Sequence, residues 1–188
     1  MKYTIFSDVQ GNYQALNRFF EKTEDSTDQY LCLGDIVQDG VSFEDNRCIE
    51  IIRDYDCISV KGNHEEKVLR NHQKSIKRIF AGNLSYIENL PLEKEVENKY
   101  NLKHLIFNEK NPNLDKINQE FSKFKPSIKI SFFGHTHKPI VYSQNNKNLV
   151  KEEKFMTNHL RLNENLKYLI NPGGVGLNWN QLKTYIQF

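Results

Sequence analysis

Short apolar runs and amphipathic stretches alternate through the first third of the chain, and this rhythm constrains the fold more than any other feature. KYTIF (2–6), YLCLG (30–34) and CISVKG (57–62) read as strands. Between them lie NYQALNRFFEKTED, with Ala15, Leu16, Phe19 and Phe20 on one helical face, and FEDNRCIEIIRDY, with Phe43, Cys48, Ile51 and Ile52 turned inward. Strand–helix–strand–helix–strand at this spacing implies right-handed βαβ units and a parallel sheet. Helices are predicted over 65–80 and 83–89. The second half differs. LEKEVE, HLIF, IKISFF, IVYS, KYLI and KTYIQF are short strands, with one helix near 114–124. A second sheet packed on the first, with helices outside both, accommodates them.

The length, 188 residues, suits one domain spanning 1–188. A formal net charge of +2 supplies no basic groove for nucleic acid and no membrane patch. Cys32, Cys48 and Cys57 are odd in number and lack CxxC spacing, so reduced thiols are expected. MKYTIFSD enters a strand at once, without a signal-peptide core, and no apolar run reaches the ~18 residues of a membrane span. A cytoplasmic protein is the expectation.

In open α/β sheets, ligands bind beyond the carboxyl ends of the strands. Four strands end in groups that suit a metal. SDVQGN follows the first, GDIVQDG the second, GNHE the third, and GHTH follows IKISFF. Asp8, Asp35, Asn63, His135 and His137 thus gather carboxylate, carboxamide and imidazole, borderline ligands for divalent transition metals. Glycines beside three of them let the backbone turn sharply.

These motifs, with IENLPLE (87–93) and NPGGVG (171–176), resemble the calcineurin-like metallophosphoesterases, especially their small stand-alone phosphodiesterase branch. The resemblance spans nearly the whole chain. It implies a four-layer α/β/β/α sandwich of two mixed sheets flanked by helices. It also implies two divalent metal ions bridged by Asp35, one held by Asp8, Asp35 and His137, the other by Asp35, Asn63 and His135. His64 then lies over the substrate phosphate and assists the leaving group. Asn12 and Lys138 are the candidates for contact with the substrate.

Two histidines of the family pattern are replaced. Asp-x-His becomes Asp8-Val9-Gln10. The family's strand ending in His-Gly has KHLIFNEKNP as its counterpart, and aligning LIF places Asn108 at the histidine position. His104, four residues earlier and so about 13 Å back along a strand, reads as a surface residue at the wrong end. Each metal then loses one imidazole, and Gln10 and Asn108 offer amide oxygens instead. That shifts preference from zinc or nickel toward manganese or magnesium, with Mn2+ favoured and Fe2+ as a further candidate. One of the two positions is expected to be weak, and a single retained metal is expected on the Asp8 side.

The resulting expectation is a metal-dependent phosphoesterase acting on a small phosphoester or nucleotide, with a diester favoured. One alternative is a scaffold protein on the same fold, as in the retromer's scaffold subunit. Another is a nucleoside polyphosphate hydrolase or protein phosphatase, disfavoured because the Asp-Arg-Gly of those relatives is replaced after Val37 by Gln38-Asp39-Gly40. Tyr13, Phe43, Tyr142 and Trp179 lie near the motif loops, where rings can stack on a base, although ordinary packing is the commoner use. Exposed strand edges in the second sheet leave room for a homodimer.

Overall fold

The computed structural model describes residues 1–71, 78–107, 112–153, 162–176 and 186–187. In the first sheet, β1 (Tyr3–Phe6), β2 (Gln29–Cys32) and β3 (Ile58–Ser59) run parallel. The predicted crossover helices connect them, α1 (Tyr13–Thr23) and α2 (Phe43–Asp54). Asn12 caps α1 by accepting from the Ala15 N–H, and Ser42 caps α2 by accepting from Glu44 N–H. Two further helices follow, α3 (Asn63–Asn71) and α4 (Ala81–Asn89). The helix expected over 65–80 therefore begins earlier and does not reach Phe80, which precedes α4 in extended conformation.

The second sheet contains β4 (Glu93–Val96), β5 (Tyr100–Lys103), β6 (Ile130–Phe133), β7 (Ile140–Gln144), β8 (Val150–Glu153) and β9 (Lys167–Asn171). Their spatial order is β4-β5-β6-β9-β7-β8. Helix α5 (Leu114–Ser122) lies on its outer face, where Ile117 and Phe121 meet Phe133, Tyr142 and Leu169. The last strand, β10 (Ile186–Gln187), expected among the second-half strands, instead pairs antiparallel with β1 and joins the first sheet. Polar β8 was not foreseen; its Val-Lys-Glu-Glu sequence carries no apolar alternation.

The layers follow from the two-residue period of the strands. In β1 and β2, Phe6, Tyr30 and Cys32 face α1 and α2, while Tyr3, Ile5 and Leu31 face the second sheet. In β6 and β9, Phe132 and Ile170 face the first sheet, while Phe133 and Leu169 face α5. The order is helices, sheet, sheet, helix: the expected α/β/β/α sandwich. Phe20 and Tyr55 stack with ring centroids 4.0 Å apart inside the α1–α2 layer. Phe43, expected inward, is 57% exposed against the edge of Phe80, because it opens α2 where the helix leaves the sheet; Ile49 takes an inward place instead.

Two substitutions test this layering by urea denaturation. Phe132→Ala, between the sheets, is expected to cost about 3–5 kcal/mol. Phe43→Ser is expected to change stability by no more than about 0.5 kcal/mol. A large loss from the second would place Phe43 in the core after all.

Candidate metal centre

The carboxyl ends of β1, β2, β3, β5 and β6 converge on one edge of the sandwich. The chain leaves them through strained backbone. Asp8, Gln10, Asp35, His135 and His137 all have positive φ, between 50° and 69°. Non-glycine residues held so cost on the order of 1–3 kcal/mol each and cluster at functional sites. Cross-strand hydrogen bonds hold the turns, with Asp8 N–H donating to Gly34 O at 3.1 Å and Gln10 N–H to Asp35 O at 2.8 Å. Glycine is required where two turns touch. Gly34 has φ +91°, and a Cβ on it would lie 2.6 Å from the Gly62 nitrogen.

Glu65 ties these turns together. Its buried carboxylate accepts from the N–H groups of Asp35, Ile36, Val37 and Gly62 at 2.7–3.0 Å. Burial raises its pKa, Asp35's charge adds to that, and the Val37 and Gly62 N–H groups and His104 oppose it. The acid in GNHE is therefore a structural anchor, which the sequence reading passed over. Asn171, in the NPGGVG turn, does similar work for GHTH, donating to Gly134 O at 2.7 Å and to Thr136 Oγ1 at 3.1 Å.

The side chains meet around Asp35. Its Oδ2 lies 3.3 Å from His104 Nε2, 3.4 Å from Gln10 Nε2 and 3.9 Å from His64 Nε2. Asn63 Oδ1 accepts from His104 Nε2 at 3.0 Å and from His135 Nδ1 at 2.8 Å. On the other flank, His137 Nε2 lies 3.7 Å from Asp8 Oδ1 and 3.1 Å from Gln10 Nε2. Asp8 also receives the His135 N–H at 3.1 Å.

His104 corrects the sequence reading. It is 1% exposed and lies in the centre, because β5 spans 100–103 and not HLIF at 104–107. The histidine is therefore the first residue beyond the carboxyl end of the strand. The apolar Ile106 and Phe107, which suggested a strand, instead join the outer cluster with α5. Asn108, proposed in its place, lies outside the described residues, as does Trp179. Asn12 is engaged internally, capping α1 and donating to Gly176 O at 2.8 Å. Lys138 is exposed. Tyr142 is buried in the outer cluster with α5, so it does not reach a ligand at this edge. Tyr13 is half-buried beneath the Arg47 guanidinium, 3.7 Å from the ring centroid.

The donors suit a divalent cation. Ligand atoms of Asp35, His104 and His135 lie within 4.8 Å of one another. His104 Nδ1 faces the Leu33 carbonyl at 2.7 Å while Nε2 faces Asn63 and Asp35 oxygens, an arrangement satisfied by an imidazolium. Burial opposes that charge, but Asp35 first, then Asp8 and Glu65, raise the His104 pKa to about 9. The chain thus places positive charge where a cation would sit among the same oxygens. Asp35 is pushed up by burial yet held below its ordinary value by His104 and His64. Burial lifts Asp8 from 3.8 to about 6, with His104 opposing and Asp35 reinforcing the rise.

An acid raised in the folded state destabilises that state once the pH exceeds its unfolded value, and the full cost is present above the folded value. A rise from 3.8 to about 6 corresponds to about 3 kcal/mol. Asp8→Asn is therefore expected to stabilise the metal-free protein at neutral pH, the gain fading as pH falls through 6 toward 3.8. Thermal melts in chelator would show this. A variant no more stable than the wild type at neutral pH would overturn it.

A calcineurin-like phosphoesterase family model matches residues 1–139. An uncharacterized protein of Methanocaldococcus jannaschii is 33% identical over 92% of this chain and 75% of its own length. The crystal structure of a metallophosphoesterase from Sphaerobacter thermophilus superposes with a TM-score of 0.71 at 24% identity, covering 94% of this chain and 77% of that one. No helix among the described residues is long and apolar enough to cross a membrane. The chain belongs to the calcineurin-like phosphoesterases and is a metal-dependent phosphoric ester hydrolase on their fold.

Proposed function

We propose that residues 1–188 act as one domain that hydrolyses a small phosphodiester, in the cytoplasm, with Mn2+ as the favoured metal. The observation that carries this reading is the position of Asp35, whose carboxylate stands between two groups of donors. On one side are Asp8, Gln10 and His137; on the other are Asn63, His104 and His135. When bound, a pair of divalent cations clamps the phosphate and lowers the pKa of the attacking water.

The chain supplies the rest. Asp35 Oδ2 faces donors of both sides, Oδ1 accepts from the His64 backbone N–H at 2.9 Å, and Glu65 fixes the Asp35 backbone. His64 donates its Nδ1–H to the Gln38 carbonyl, which turns Nε2 toward the centre, 3.9 Å from Asp35 Oδ2. From there the protonated ring would give its Nε2–H to the departing oxygen and keep the Nδ1–H on Gln38. Three unpaired cysteines among the described residues, two of them buried, accord with a reducing compartment.

Recovery of His104 reverses the expected balance between the two metal positions. The Asn63 side has two imidazoles, the shared carboxylate and an amide, whereas the Asp8 side has one imidazole, Asp8, the shared carboxylate and Gln10. Tighter binding is therefore assigned to the Asn63 side. Gln10 serves the weaker side through Oε1 after a half-turn of its amide, and such a harder donor favours manganese or magnesium.

Metal-stripped protein titrated with Mn2+ is expected to bind in a tight and a weak step by calorimetry. His104→Ala should remove the tight step and Gln10→His should strengthen the weak one. Hydrolysis of bis-p-nitrophenyl phosphate should follow occupancy and fall about a hundredfold or more in His64→Ala. Equal rates in wild type and His64→Ala at saturating metal would instead favour the reading of a binding or scaffold protein.

A further inference from the structure

Asp45 has no part in the donor set, yet it is fully buried, 0% exposed, in the first turn of α2. It accepts from the N–H groups of Gln38 at 2.8 Å, through Oδ1, and of Gly40 at 2.9 Å, through Oδ2. Among the described residues no cationic side chain is paired with it. A buried carboxylate satisfied only by peptide groups is costly unless those groups are held rigidly.

The grip falls on the segment that orients His64. The Gln38 carbonyl accepts from His64 Nδ1, and the same trans peptide carries the Asp39 N–H on its opposite edge. That peptide is bracketed by the Gln38 and Gly40 N–H groups that Asp45 holds. The Asp45 carboxylate grips both and so fixes the direction of the peptide's carbonyl. The acceptor fixes the Nδ1–H tautomer and leaves Nε2 directed at the centre.

We propose that Asp45 is a positioning residue for His64, acting through the 38–39 peptide. This rests on the phosphoesterase reading above for its kinetic consequence, but its structural consequence is independent of turnover.

The first test is nitrogen-15 NMR of the His64 ring in the labelled full-length chain with Mg2+ at mildly alkaline pH. The wild type is expected as the Nδ1–H tautomer, with that proton protected from exchange. Asp45→Asn keeps the shape and one acceptor oxygen, and is expected to give a mixture of tautomers. The second test is a double-mutant cycle on bis-p-nitrophenyl phosphate. Asp45→Asn should lower kcat about tenfold with KM changed less than about twofold, and should cost nothing further in the His64→Ala background. A wild-type Nε2–H tautomer overturns the proposal even where the variant does not fold. So does an unchanged tautomer in Asp45→Asn, or an equal loss with and without His64. Absence of any turnover would sink the phosphoesterase reading alone, leaving the tautomer result to decide the role of Asp45.

Discussion

The meeting of Asp35 with His104 is the contact on which the centre depends, because the two residues come from different sheets. Asp35 leaves β2 and His104 leaves β5, and their side chains approach to 3.3 Å only if the sheets pack face to face with their carboxyl ends at a common edge. The apolar layer between the sheets, with Leu31 and Leu33 against Leu102 and Phe132, sets that alignment. Burial that stabilises the sandwich and geometry that assembles the centre are therefore the same fact.

Around that contact, the turns are held by buried acids. Glu65 gathers four N–H groups and Asp45 two at hydrogen-bonding distance, so most of the backbone from Asp35 to Gly40 is fixed by side chains of α2 and α3. Their hydrogen bonds lower the cost of burying them, and positive φ at five donor residues is sustained by the same scaffold. Asp8 carries less compensation, and its elevated pKa reflects that. A centre crowded with acids is the condition under which a cation is bound tightly, and instability of the metal-free state follows from the same electrostatics.

The first-sheet strands and their crossover helices were legible because each strand is bounded by glycine or a helix cap and each helix has a 3.6-residue apolar face. Asp8, Asp35, Asn63, His64, His135 and His137 were legible as a group because they follow strands at a common end. His104 was not. HLIF is more apolar than YNLK, so the pattern placed the strand four residues late and put the histidine at its start. Leu102 alone is fully buried in β5, and the strand is defined by its parallel pairing with β6, which no local apolar pattern records. Phe43 was misplaced for a related reason: helical periodicity assigns a face but not where the helix clears the sheet.

By itself, the sequence determined the alternation of elements and the residue types of the candidate metal centre and their order along the chain, since these depend on local periodicity and on glycine-marked turns. Only the tertiary structure decided which donors share a side of Asp35, that β10 completes the first sheet, and that Asp45 and Glu65 grip the turns. Those outcomes depend on strand pairing and sheet-on-sheet register between residues far apart in the chain, where the free energy resides in contacts that no short window of sequence contains.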